Sequence, residues 1–241
     1  MPIRMLAVLR EAFALFRRDR DWLLAVAAPF LFLPSFALAL LAPRWPGVPR
    51  ERDDAGTLAW MERFGDWLAA YGPWYALAYA VAGFGSAALF AGYLDEDAGD
   101  VRGALRRGAA LLPRYLLAAV LVAIPTGAGL YLWVVPGLYV MGRTMLYGPA
   151  LAAERPVGAA GAVARSFALT SGAGLPMMAL AAVVLLTGIV AGQPFAALET
   201  AAGANRLMDV TAAAGLATVS MLTNVAQVLV AVSAYRRLAA R

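Results

Sequence analysis

Long apolar runs separated by short charged stretches organise this chain. Six runs approach or exceed the about 20 residues that an α-helix needs to cross a hydrocarbon core. They are Trp22–Ala42, Trp74–Leu94, Tyr115–Val134, Leu138–Ala153, Leu175–Gly192 and Val210–Tyr235. The fourth is short and the sixth long. Pro29, Pro34 and Pro125 fall inside runs, where neighbouring helices can satisfy the carbonyls that proline leaves free. The pattern predicts an all-α, polytopic membrane protein of six transmembrane helices, forming one domain over residues 1–241.

Between the runs the period changes. Leu6, Leu9, Phe13 and Phe16 recur at spacings of 3, 4 and 3, with Arg4, Glu11 and Arg18 on another face. That is an interfacial amphipathic helix over 3–18, its arginines turned to anionic headgroups; the bland reading is an extension of the first span. Related stretches precede later runs. Leu105 and Leu112 lie opposite Arg102 and Arg106, and Val163 and Phe167 lie beside Arg165. The layout reads as three repeats of an inner amphipathic helix plus a transmembrane hairpin, set around an axis normal to the membrane. The loop Pro43–Pro73 opens Pro-rich and irregular. It continues with Trp60, Phe64, Trp67 and Tyr71 on one helical face, either an aromatic belt at the outer interface or a cover over a cavity or partner surface.

Composition sharpens the class. The chain is 62% hydrophobic and 15% charged, with mean hydropathy +0.71, far from the roughly 25% charged residues of soluble domains. The first run follows about 20 charged, amphipathic residues, too long for the n-region of a signal peptide, and reads as an uncleaved anchor. The basic residues are all arginine. With the N-terminus inside, fourteen arginines fall on inner segments and five on outer ones. The positive-inside rule then places both termini in the cytoplasm. The net charge of +5 belongs to this bias, with no basic patch interleaved with exposed aromatics for nucleic acid.

Lys, His and Cys are absent. Disulfides, thiolate nucleophiles, Schiff bases and the commonest general base and metal ligand go with them. No cofactor or metal site is expected. Asp95, Glu96, Asp97 and Asp100 form an acidic cluster whose spacing matches no calcium loop and reads as a solvated turn. Gly83, Ala87 and Ala91 make a small-residue ladder for close helix packing.

Two features stand out within the runs. Arg143 is a charge inside a span, the default mark of a functional site. It lies five residues past the start of its run, about 7.5 Å deep. One outcome is snorkelling to the outer interface; others are pairing with Asp209 or Glu199, or a ligand or lipid-headgroup role. Asn224 and Gln227 share a face of the last run, either for interhelical hydrogen bonds or as a polar lining for a substrate path.

The order Pro136-Gly137-Leu138-Tyr139, Arg143, Pro149-Ala150, Glu154, then Ala164-Arg165-Ser166-Phe167-Ala168-Leu169-Thr170 and Gly172 resembles the YciC-like bacterial inner-membrane proteins. It is similar also to the related membrane domain joined to some glycerophosphodiester phosphodiesterases. The resemblance covers about 40 residues closely and the rest loosely, and it departs at Phe167, where the pattern has Trp. It implies a six-helix membrane fold without assigned chemistry. The phosphodiesterase activity belongs to a domain this chain lacks. Within the pattern, Pro136 and Gly137 read as a tight outer hairpin turn, Glu154 as the return to the cytoplasmic face, and Ser166 as an inner-surface residue bonding a carbonyl or a headgroup.

The expected function is that of a non-enzymatic inner-membrane protein, structural or lipid-interacting, whose partners are membrane lipids and the anionic headgroups of the inner leaflet. The alternative is a transporter or exporter of a small apolar or lipid-like substrate. A water-accessible cavity joining Arg143, Asn224 and Gln227 would favour transport; solid packing, with Arg143 turned to the headgroups, would favour the structural role.

Overall fold

The computed structural model describes residues 4–43, 46–47, 53–95, 98–154, 156–203 and 205–240. Arg44, Arg50, Arg52, Arg155 and Arg241 of the orientation count, and Glu96 and Asp97 of the acidic cluster, lie outside them. The described residues are all-helical. Nine α-helices follow one another: α1 (Met5–Ala27), α2 (Leu33–Leu41), α3 (Asp54–Leu94), α4 (Val101–Leu132), α5 (Val134–Thr144), α6 (Tyr147–Ala153), α7 (Ala159–Leu169), α8 (Gly174–Ala202) and α9 (Arg206–Ala239). A π-helical turn, Ala28–Phe32, joins α1 to α2.

Five helical stretches are long and apolar enough to cross a membrane: Met5–Leu41, Gly56–Leu94, Val101–Leu132, Gly174–Ala202 and Arg206–Ala239. They contain five of the six expected runs to within two residues at the ends of those runs. The run Leu138–Ala153 differs, since it is divided between α5 and α6 at Met145–Leu146. The sequence stretch 3–18 does form helix and is continuous with the first run, interrupted only by non-helical backbone at Asp19. Residues 101–112 are simply the start of α4, whereas 159–169 stand alone as α7. The three stretches expected to repeat thus take three forms.

The aromatic stretch before Pro73 is not a separate short helix either. It runs unbroken through Pro73 into the second run, making α3 41 residues long, about 60 Å at 1.5 Å per residue. Its stripe faces the chain's own preceding loop. Trp60 Nε1 donates to Pro46 O (3.1 Å) and Trp67 Nε1 to Pro43 O (3.0 Å), and Trp60, Phe64 and Trp67 stack along the helix.

Proline explains the π-helical turn in the first stretch. Pro29 and Pro34 cannot donate to the helix ladder, and the wider π turn between them absorbs the mismatch. Ser35 Oγ donates to Leu31 O at 2.9 Å.

Packing is uneven along the bundle. The C-terminal half of α9 is the central post: Val228 to Tyr235 is buried throughout, surrounded by α1, α3, α6 and α8. One end of the bundle is tied by charges: Glu11 to Arg237 (2.8 Å), Asp95 to Arg107 (3.4 Å), Glu154 to Arg165 (2.8 Å), and Tyr93 Oη to Asp19 (3.1 Å). Small residues set close crossings there. A Cβ on Gly108 would stand 2.7 Å from Ala88 Cα, and Ala87 and Ala91 of the expected ladder are fully buried. Toward the other end α4 is bare, with Leu117, Val120, Leu121 and Ile124 exposed. Lipid is the solvent in which such a surface is stable.

Candidate functional site

The residues of the 136–172 pattern converge on the break between α5 and α6. Trp133, in extended conformation (φ −155°, ψ 126°), is the whole turn from α4 into α5. Pro136 and Gly137 are therefore not the hairpin turn; they lie in the first turns of α5. Proline is suited there because the first helical N–H groups have no partner in any case. Gly137 has no positive φ and serves close approach instead: a Cβ on it would collide with the Leu130 backbone, and one on Gly129 would stand 2.8 Å from Gly137 Cα.

α5 descends from that turn and packs on the start of α8. A Cβ on Gly142 would come 2.6 Å from Met178 Cα. At Met145 the helix tightens, its N–H reaching back only to Gly142 O (3.4 Å). The Leu146 N–H, which would bond Gly142 O in a regular helix, instead donates to Ser166 Oγ on α7 (3.1 Å). The same Ser166 hydroxyl donates to Arg143 O (2.7 Å). One fully buried side chain thus replaces the helix bonds missing at the break. Thr170, also fully buried, donates to Ser166 O (2.7 Å) and holds the end of α7. Of the two expected roles of Ser166, bonding a carbonyl is the one its hydroxyl performs; fully buried, it is a splint inside the fold.

Arg143 sits beside this splint. Its Nη2 donates to Phe167 O (2.7 Å) and its Nη1 to Tyr139 Oη (3.2 Å). The guanidinium carbon stands 5.2 Å from the Phe167 ring centroid and 5.8 Å from that of Tyr139, within cation–π range. Its Nε is buried without a hydrogen-bond partner. Arg143 pairs with neither Asp209 nor Glu199. Those two residues flank the α8–α9 turn, whereas α5 packs at the beginning of α8; Gly174 and Glu199 are about 37 Å apart along the helix.

Glu154 closes the lower end. It accepts from Arg165 Nε with both oxygens (2.8 Å each) and from Tyr235 Oη (2.9 Å), joining the α6–α7 turn to α9. The hydrogen bond to Glu154 raises the Arg165 pKa above its ordinary value.

Asn224 lies elsewhere. It donates to Ser220 O one turn back in α9 (2.9 Å) and lines a groove of about 290 Å³ between α2, α3 and α9, with Ser35, Tyr79 and Ser220. Gln227 is half-buried on α9 and lines neither this groove nor the others described below. Arg143, Asn224 and Gln227 do not meet in one cavity. In the acidic cluster, Asp95 pairs with Arg107, and Asp100 caps α4 by accepting from Gly103 N (2.7 Å). Among the described residues no three His, Cys, Asp or Glu side chains gather as a metal site.

Sequence reasoning missed the break itself. Its signal was Pro149, which stands in the first turn of α6 and marks a helix start in the middle of an apolar run. It also missed Tyr235 and Thr170, whose roles depend on contacts across the fold. Compared with known protein families, with curated proteins and with solved structures, the chain matches none.

Proposed function

We propose that this chain is a multi-pass protein of the bacterial inner membrane with a non-enzymatic, lipid-engaging role. In this reading it crosses six times, the fourth crossing being the broken pair α5–α6, and both termini are cytoplasmic. The charged end of the bundle is then the cytoplasmic end. The three-unit layout and kinship with the YciC-like proteins belong to the same proposal.

One observation carries it, the outer face of α1. Leu6 and Phe13 are 69% and 63% exposed, on a helix whose opposite face, Val8, Ala12 and Leu15, is buried. Arg10 and Arg17 are exposed beside them. An apolar strip edged by arginines belongs at a headgroup boundary.

The test uses the absence of cysteine. A spin label at Phe13→Cys is expected to be reached by oxygen and shielded from a water-soluble nickel chelate. Arg102→Cys should react with an impermeant thiol reagent only from the cytoplasmic side, and Asp66→Cys only from the other. Aqueous exposure at position 13, or labelling on the reverse sides, would sink the reading.

The second reading, export of an apolar or lipid-like substrate, keeps one supporting observation, the polar edge of the Asn224 groove. Asn224→Cys fully protected from soluble thiol reagents would end it.

A further inference from the structure

The hollows of this fold differ in chemistry. A cleft of about 790 Å³ at the start of α1 is lined by Arg4, Arg10, Glu11 and Arg237, and a groove of about 480 Å³ between α1, α8 and α9 almost wholly by apolar atoms. The groove of about 290 Å³ between α2, α3 and α9 is of a third kind. No charged residue lines it, yet one edge is polar and carries Ser35, Tyr79, Ser220 and Asn224.

Those polar groups are not all spent inside the protein. Hydroxyls on these helices regularly donate to a carbonyl one turn back. Ser35 donates to Leu31 O, Ser86 to Ala82 O, Thr218 to Ala214 O and Thr223 to Val219 O, at 2.9, 3.0, 2.8 and 2.7 Å. Ser220 lies between the last two on α9, and its hydroxyl makes no such bond; the Tyr79 hydroxyl has no hydrogen bond either among the described residues. Asn224 Nδ2 donates to Ser220 O (2.9 Å), which leaves its Oδ1 without a partner. The groove therefore offers two O–H donors and one amide acceptor. In hydrocarbon, with no water to meet them, such groups are costly to leave unpaired.

Depth narrows the ligand. Counted from the outer ends of their apolar runs, Ala42 and Trp74, the lining residues Ser35, Ala39, Tyr79 and Ala82 lie about 5–12 Å down at 1.5 Å per residue. A phosphate or ammonium head finds no counter-charge at that depth and stays at the interface. A lipid whose head carries only hydroxyl and ester groups meets no such barrier.

We infer that this groove is a site for an uncharged glycerolipid of the outer leaflet, a diacylglycerol, whose hydroxyl donates to Asn224 Oδ1 and whose two ester carbonyls accept from Ser220 and Tyr79. The inference rests on the membrane-spanning orientation proposed above and adds a ligand class to it. The count of groups selects that class: two donors and one acceptor on the protein answer two carbonyls and one hydroxyl on the lipid. Volume agrees. The groove of about 290 Å³ holds the equivalent of roughly ten waters, the size of a glycerol unit with its ester groups rather than a whole lipid. The acyl chains leave along the lipid-facing side, where Tyr79 is 69% exposed.

The test is native mass spectrometry of the full chain released from phosphatidylglycerol nanodiscs doped with dioleoylglycerol. The wild type should retain one dioleoylglycerol above its bulk share. Ser220→Ala with Tyr79→Phe removes both donors and no hydrogen bond within the protein. The thermal midpoint should therefore hold while retention falls about two- to tenfold for each bond lost. Thr218→Ala, on another face of α9, should retain the lipid as the wild type does. Ala39→Phe, at an exposed lining position, should fill the groove and remove the dioleoylglycerol. Oleyl alcohol, which has the hydroxyl without the esters, should be retained less. Bulk-share retention by the wild type, unaltered retention by the Ser220/Tyr79 variant, equal retention of oleyl alcohol, or a dimer mass that Ala39→Phe abolishes would each overturn the site. Any of these results with the Asp66→Cys and Arg102→Cys labelling pattern intact would leave the topology standing and remove only the lipid site.

Discussion

At the scale of single residues, the fold depends on side chains that repair backbone. Ser166 is the clearest. It both donates and accepts at the α5–α6 break, and Ala in its place leaves the Leu146 N–H buried without a partner. An unsatisfied buried group of this kind costs about 1–3 kcal/mol. Ser166→Ala is therefore expected to lower the thermal midpoint of the detergent-solubilised protein by several degrees. The neighbouring Ser171, exposed at the turn, should change to Ala with less than about 0.5 kcal/mol of effect. Equal midpoints for the two variants would refute the splint. The sequence made Ser166 visible as a residue that could bond a carbonyl but not which one, because its partners Arg143 and Leu146 lie twenty or more positions back, at a break no local rule announced. Arg143 was legible as a costly charge. Its destination was not, since depth counted from the start of a run assumes that the run is one straight helix.

At the scale of elements, helix existence followed from hydropathy and helix ends did not. Five apolar runs became helices, yet α3 continued back through Pro73 for twenty residues because aromatic stacking along Trp60, Phe64 and Trp67 and the indole bonds to Pro43 and Pro46 support its first turns. Proline marked both helix starts around the break: Pro136 and Pro149 occupy first turns, where a missing N–H is harmless. Glycine marked crossings. Gly142 lets α5 lie against the backbone of Met177 and Met178. Gly142→Leu must push α5 off α8, since backbone, not a flexible side-chain tip, is what the new atoms meet. Overpacking of this sort costs about 1–3 kcal/mol. The expected readout is faster thiol labelling of a cysteine placed at Met178 in the Leu variant than in the glycine parent. Unchanged protection would show that the crossing has room to spare. Gly161, whose Cβ would meet only a Val157 methyl at 3.4 Å, should accept Ala without loss.

At the scale of the molecule, one end is held by charge and buried volume while the other is open to its solvent. The ion pairs of Glu11, Asp95 and Glu154, and the buried stretch of α9, lie at the first. The exposed faces of α4 lie toward the second. Arginine bias along the sequence anticipated which end would be charged. It did not anticipate that α9, the last helix made, would be the post on which the others pack, because α9 carries no stronger apolar pattern than α8 and its centrality is a property of contacts alone.

The splint also fixes an order of events during synthesis. Val134–Ala153 carries six Val and Leu residues, together worth roughly 2–4 kcal/mol toward insertion, and Arg143 opposes them by about 2.5–3.5 kcal/mol. Alone, the segment is nearly indifferent between water and lipid. Ser166, Phe167 and Thr170, which satisfy its broken turn and its charge, emerge from the ribosome only later. The nascent chain should therefore pause with four helical runs made and the last of them unsettled, and should take its final topology when α7 folds back onto it. Chains truncated at Gly158 are expected to leave a cysteine at Leu151 open to soluble reagents, and chains extended past Gly172 to close it.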